Sequence, residues 1–269
     1  KKQAYLPKNA TAIENEVGTA PAYYISENGK TIISLPGVPA EMEYLINKKI
    51  IYILTQLHNL RNTIYSRTIH TAGIGESSLD NLIGEFEKLT NPTVGVTAKP
   101  GQVDIRITAK AKNIQEAKNI ILPIEESIHN TVGNFVFGYD QDTLKSVVEA
   151  LVNEKHIEIE LNYNNLNQEI IRKFQKINIF RAIQRLLDFD QEPQEIKQSL
   201  YNKPYEKKMT VYLNKPVNPK SGIELKIYYK DVSYEKEMWF GGHDILFNLW
   251  MENYLLNTIR EVILEKGEK

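Results

Sequence analysis

The sequence predicts an α/β chain assembled from more than one module, and three observations carry that reading. Short runs of period-two apolar alternation recur from Ala22-Tyr23-Tyr24-Ile25 to Ile223-Glu224-Leu225-Lys226-Ile227. Between them lie segments with apolar residues at helical spacing, such as Leu79, Leu82, Ile83 and Phe86. Strands and helices alternate, and a length of 269 residues suits two compact domains. The divisions are expected at residues 1–62, 63–138 and 139–269.

The first part holds a hairpin, Ala22-Tyr23-Tyr24-Ile25-Ser26 and Lys30-Thr31-Ile32-Ile33-Ser34, closed at Glu27-Asn28-Gly29. Asn-Gly between alternating runs is the strongest short hairpin signal. Leu35-Pro36-Gly37-Val38-Pro39-Ala40-Glu41-Met42 follows, leading into a helix expected to reach Leu57. Two prolines remove backbone donors on either side of Gly37, which is left free to take a positive φ. Such a turn at a helix N-terminus is either a plain β-to-α connection or a seat for an anion such as phosphate. Gly18-Thr19-Ala20-Pro21 stands at the other end of the paired strands, where both loops can meet at one edge.

The second part reads β-α-β-β-α-β. Thr63 to Thr71 alternates as a strand, and Glu76 to Leu89 is helical. Thr93–Ala98 and Val103–Ala109 pair across Lys99-Pro100-Gly101-Gln102. A long helix from Asn113 carries Ala117, Ile120, Ile121, Ile124 and Ile128 on one face, and Asn134 to Gly138 closes the unit as a strand. In the third part, Leu144–Glu154 and Gln168–Leu187 are expected helices around a strand at Ile157–Leu161. Arg172, Lys173, Lys176, Arg181 and Arg185 make the second helix locally basic. Strands at Met209–Leu213, Ile223–Tyr229 and Tyr234–Phe240 precede a terminal helix from Asp244 to Lys266.

Composition excludes several chemistries. There is no cysteine, so disulfides, thiolate zinc sites and cysteine nucleophiles are ruled out. The histidines (His58, His70, His129, His156 and His243) show no ligand spacing. A net charge of −1, from 33 basic and 34 acidic residues, predicts no polyanion-binding surface. No apolar run approaches the roughly 20 residues that span a bilayer, and no signal peptide is visible. A cytoplasmic protein without membrane partners is expected. The chain starts at Lys1 instead of methionine and reads as a fragment of a longer protein.

Taken in order, Gly18-Thr19-Ala20-Pro21, Leu35 to Met42, Gly73-Ile74-Gly75-Glu76-Ser77 and Pro100-Gly101 resemble the competence/damage-inducible protein CinA family. Lys2-Gln3-Ala4 and Pro7 fit the same pattern, and the match runs from Lys1 to about Val152. The resemblance implies three modules. They are the C-terminal portion of a molybdopterin-binding-like (MoaB/MogA-like) nucleotide domain, a KH-like or ferredoxin-like middle module, and a layered α/β deamidase-like domain. It implies a role in pyridine-nucleotide metabolism, with ADP-ribose-type nucleotide as the small-molecule partner, and suggests a homodimer. Thr19, Ala20, Pro21, Leu35, Pro36, Gly37, Val38, Pro39 and Glu41 would then line one wall of the nucleotide site. In a complete N-terminal domain a divalent metal ion of the Mg, Mn or Co type is implied. Glu41 alone would not hold it.

Departures from the family narrow the expectation. A nucleic-acid-binding KH unit needs a GXXG loop, and Gly73-Ile74-Gly75-Glu76 places an acid where phosphate would lie, which argues against nucleic acid. The turn that should carry the deamidase nucleophile corresponds to Asn162-Tyr163-Asn164-Asn165-Leu166-Asn167-Gln168, with no serine, threonine, cysteine or glycine. Lys215 to Pro219 replaces a glycine-rich segment, while Phe240-Gly241-Gly242 and the last helix persist. Nicotinamide mononucleotide deamidase chemistry is therefore expected to be lost, unless Lys197 with Ser199 or Ser221 rebuilds it. The alternative is a non-catalytic nucleotide-binding or interaction protein with both ancestral sites eroded.

Overall fold

The fold is described from a computed structural model, in which residues 5–59, 62–185, 207–215, 222–230 and 232–267 are described. It is a mixed α/β protein that divides into two compact units. One comprises Lys1–Thr63 with Ala111–Ile114, the other Ile64–Lys110 with Gln115–Lys269.

In the first unit β1 (Thr11–Ile13), β2 (Ala22–Glu27) and β3 (Lys30–Ser34) form an antiparallel sheet in that order. The β2–β3 hairpin pairs Glu27 with Lys30. Its two loop residues, Asn28 and Gly29, both lie in the left-handed region at φ 51° and 73°, the backbone that Asn-Gly adopts at least cost. The expected helix is present in three pieces: α1 (Pro39–Leu45), a π-helical turn (Ile46–Ile50) and α2 (Ile51–Leu57). The extra residue of the π turn rotates the helix frame. Leu45 and Ile50, five positions apart, consequently share the buried face with Ile13 and Ala22. In an uninterrupted α-helix Lys49 would follow Leu45 on that face. It reaches Glu16 and Glu14 instead, at 2.6 and 3.8 Å.

The second unit begins with a four-stranded sheet of order β5-β6-β4-β7. Its strands are β4 (Thr63–Ala72), β5 (Thr93–Lys99), β6 (Gln102–Ala111) and β7 (Val136–Tyr139). Helices α3 (Glu76–Ile83) and α4 (Ile114–Val132) complete it. Its buried side chains include Ile69, Leu79, Ile83, Ile105, Ile107, Ile121 and Ile128. The helix expected to reach Leu89 stops at Ile83, capped by Gly84, and only a 3-10 turn at Phe86–Lys88 continues it. The last strand starts at Val136, not Asn134, because Gly133–Phe135 form a 3-10 turn.

A five-stranded sheet of order β12-β11-β10-β8-β9 follows. It comprises β8 (Glu158–Asn164), β9 (Phe180–Arg185), β10 (Lys208–Asn214), β11 (Ile223–Tyr229) and β12 (Val232–Met238). β8 runs parallel to β9 and β10, while β10, β11 and β12 are antiparallel. Helices α5 (Leu144–Lys155), α6 (Gln168–Phe174) and α7 (Asp244–Gly267) contribute Val148, Phe174, Met251, Leu255 and Ile259 to its core.

The expected helix from Gln168 to Leu187 is corrected here. It ends at Phe174, and Phe180–Arg185 forms an edge strand, residues 186 and 187 lying outside the described residues. Parallel pairing with β8, together with burial of Ile177 and Ile179 in the connection, overrides the helical spacing. The basic stretch therefore has no common face. Arg172 and Lys173 sit on α6, Arg181 and Arg185 on β9, and Lys176 lies between them.

Helix α7 also grips the four-stranded module. Asn253 Nδ2 donates to the Pro100 carbonyl at 2.8 Å, and Arg260 to the Val136 carbonyl at 3.2 Å. Arg260 is buried and donates twice more to Asn257 Oδ1. Burial pulls its pKa below the usual guanidinium value, with Glu261 opposing the shift. The approach is close enough to require glycine at two loops. A Cβ on Gly73 would stand 2.9 Å from Glu261 Oε1, and one on Gly101 2.9 Å from Asn253 Cβ. Both residues also adopt positive φ, 80° and 76°.

Candidate functional site

Two loops of the first unit converge. One connects β1 to β2 and carries Thr19, Ala20 and Pro21; the other connects β3 to α1 and carries Leu35 to Val38, with Pro39 and Glu41 on the helix. Asn15 joins them. Its Nδ2 donates to the Ala20 carbonyl at 3.0 Å and to Glu41 Oε2 at 2.6 Å. The Glu41 carboxylate rests on the backbone of Gly18, where a Cβ would meet its Oε2 at 2.0 Å. A second tie lies beside it: Glu16 accepts from Tyr44 Oη at 2.7 Å and pairs with Lys49. The Lys49 and Tyr44 hydrogen bonds hold the Glu16 carboxyl below the usual carboxylate range and raise the pKa of Lys49 and Tyr44.

The expected residues thus divide into a base and a rim. Pro36 is buried, and Ala20, Leu35 and Glu41 are half-buried in the base. Thr19, Pro21, Gly37, Val38 and Pro39 are exposed and form an uncharged rim. The expectation for Gly37 is corrected: the positive-φ glycines among the described residues are Gly29, Gly73 and Gly101. Its missing side chain opens space instead, since a Cβ there would meet nothing within 4 Å. Pro39 has no N–H, so the open donors of the first turn of α1 reduce to Ala40 and Glu41.

No group of three or more His, Asp or Glu able to hold a metal occurs among the described residues. Glu41 Oε2 already accepts from Asn15, and the described side chains of the loop pair do not by themselves supply a ligand set for a divalent ion. Asn15, Glu16, Tyr44 and Lys49 were not foreseen from sequence. An asparagine ahead of a glycine-containing turn is a weak local signal, and nothing local pairs it with a glutamate 26 residues on.

Residues 66–138 match the family profile described as the damage-inducible protein CinA KH domain. A competence-damage inducible protein of Clostridium botulinum (strain Okra / Type B1) is 40% identical over 160 residues, covering 59% of this chain and 39% of the relative. One from Moorella thermoacetica is 36% identical over 156 residues, covering 58% and 38%. A CinA-like protein of Prochlorococcus marinus (strain MIT 9301) is 42% identical over 149 residues, covering 55% and 35%. Over that shared part the chain is similar to proteins of the CinA family. It spans well under half the length of these curated relatives. A formyltetrahydrofolate deformylase from Pseudomonas syringae pv. tomato covers 77% of this chain and 91% of its own, at 9% identity and a TM-score of 0.19. A score that low carries no argument.

Within the stretch that matches the CinA KH profile, Gly73-Ile74-Gly75-Glu76 is a strand-to-helix turn. Gly75 is the extended N-cap of α3, and Glu76 opens its first turn. The Gly73 end faces Asn257 and Glu261 of α7. In the C-terminal part, the asparagine-rich turn is committed to its own backbone. Asn165 takes φ 53°, and Asn167 caps α6 by accepting from the Ile170 N–H at 2.9 Å. Asn167 also donates to Asn248 at 3.2 Å. Lys197, Ser199, Ser221 and Pro216 to Pro219 lie outside the described residues. No helix among the described residues is long and apolar enough to cross a membrane.

Proposed function

We propose that this CinA-like chain binds a nucleotide of the ADP-ribose class along the rim formed by Thr19, Pro21 and Gly37 to Pro39. In the complete protein this wall would serve diphosphate hydrolysis within pyridine-nucleotide metabolism. The observation that supports the reading is the convergence of the two family loops through Asn15 and Glu41, which leaves an uncharged rim with open space at Gly37. A ligand backbone can approach closely where no Cβ intervenes. Metal ligands for hydrolysis would have to come from outside the described residues of the loop pair. A homodimer and a cytoplasmic location belong to the same reading.

The deamidase activity is proposed to be lost. Asn165 and Asn167 supply neither a hydroxyl nucleophile nor a glycine turn that could present backbone N–H groups to an oxyanion. Incubating the full-length protein with ADP-ribose and a divalent metal tests the first part, with AMP release as the expected product. Ammonia release from nicotinamide mononucleotide would contradict the second. Tight binding of ADP-ribose without turnover would favour the alternative, a non-catalytic nucleotide-binding protein.

A further inference from the structure

The amide of Asn15 has an unambiguous orientation. Its two Nδ2 contacts, the Ala20 carbonyl and the Glu41 carboxylate, can only accept, so the NH2 end must face them. Its Oδ1 faces the Val17 N–H at 3.3 Å. Every polar atom of this side chain is therefore engaged, with one donor on the Ala20 loop and one on the first turn of α1. Glu41 takes one of these donors at Oε2, and its carboxylate fills the space above Gly18 that a side chain would take.

We infer that Asn15 is a positioning residue which, with Glu41 and Gly18, latches the Thr19-Ala20-Pro21 loop to the first turn of α1, and that Glu41 belongs to this latch and not to a metal site. The latch itself follows from geometry alone; its consequence for ligand affinity rests on the nucleotide reading. Aspartate at position 15 would lack the donor and set two carboxylates face to face. Glutamine would carry the donor one methylene too far. A loop pair already ordered spares a ligand the cost of ordering it. A cation at Oε2 would compete with the Asn15 N–H for the same oxygen.

Hydrogen exchange over residues 17–22 of the full-length protein reads the latch directly, with titrations of ADP-ribose and of Mn2+ alongside. Asn15→Ala is expected to speed loop exchange and weaken ADP-ribose binding by about tenfold each. The double variant Asn15→Asp/Glu41→Gln reverses donor and acceptor between the loops. It should restore most of the exchange protection, leaving only the Ala20 carbonyl without its bond. Unchanged exchange in Asn15→Ala, or no recovery in the double variant, overturns the latch whether or not nucleotide binds. Faster exchange in Asn15→Ala and recovery in the double variant, with no ADP-ribose binding to the unmodified protein, uphold the latch and reject the nucleotide reading. Mn2+ binding that disappears in Glu41→Gln overturns the assignment of Glu41.

Discussion

Gly18 and Gly37 flank the same loop pair under opposite constraints. A methyl group at Gly18 collides with the Glu41 carboxylate, whereas one at Gly37 meets open space. Gly18→Ala is therefore expected to destabilise the protein by about 1 kcal/mol, the cost of moving the Glu41 carboxylate off Asn15, and Gly37→Ala to change stability by less than about 0.5 kcal/mol. Thermal melts of the two variants check the contrast. Tyr212 supplies a pH prediction. Burial, with Tyr228 and Glu160 nearby, pushes its phenol from 10.0 up to about 12. The folded state thus retains a proton that the unfolded chain releases near pH 10. Its contribution is fully present below that pH and is lost as pH rises toward 12. Denaturant midpoints should fall across that interval, and less so in Tyr212→Phe. At this scale sequence was partly informative. The proline-glycine loop stood out through local pattern, and Glu41 through the family resemblance. Asn15 did not, because its partner is set by chain folding and not by spacing.

At the scale of elements, strong local signals survived and weak ones were overruled. Asn28-Gly29 produced its hairpin, and the alternation of β8 and β11 produced strands. Residues 180–185 became a strand because the open edge of β8 offered parallel pairing, a tertiary term absent from helical spacing. The π turn at Ile46–Ile50 was equally invisible, since it answers to the competing demands of Ile50 for the core and Lys49 for Glu16. Helix α7 shows the same logic. Asn253, Asn257 and Arg260 lie at i, i+4 and i+7 on one polar stripe of the helix, and they hold the Pro100 and Val136 carbonyls directly or through one another. Asn253→Ala should cost about 1 kcal/mol and Arg260→Ala about 2–3 kcal/mol, read from urea unfolding. Because the Gly73 and Gly101 loops are filled by α7, we expect the KH-type module to act as a dock for that helix. Single-stranded RNA should then give no mobility shift with the intact chain.

At the scale of the molecule, the CinA KH match covers residues 66–138, and the loop pair lies ahead of it in the first unit. The central claim is that the rim around Gly37 receives a nucleotide. It is tested most directly by calorimetric titration of ADP-ribose into the full-length protein and its Gly37→Ala variant. Saturable binding that weakens about tenfold in Gly37→Ala, with an unchanged melting temperature, is the predicted result. Absence of binding to the unmodified protein, or equal affinity in both, would contradict the account.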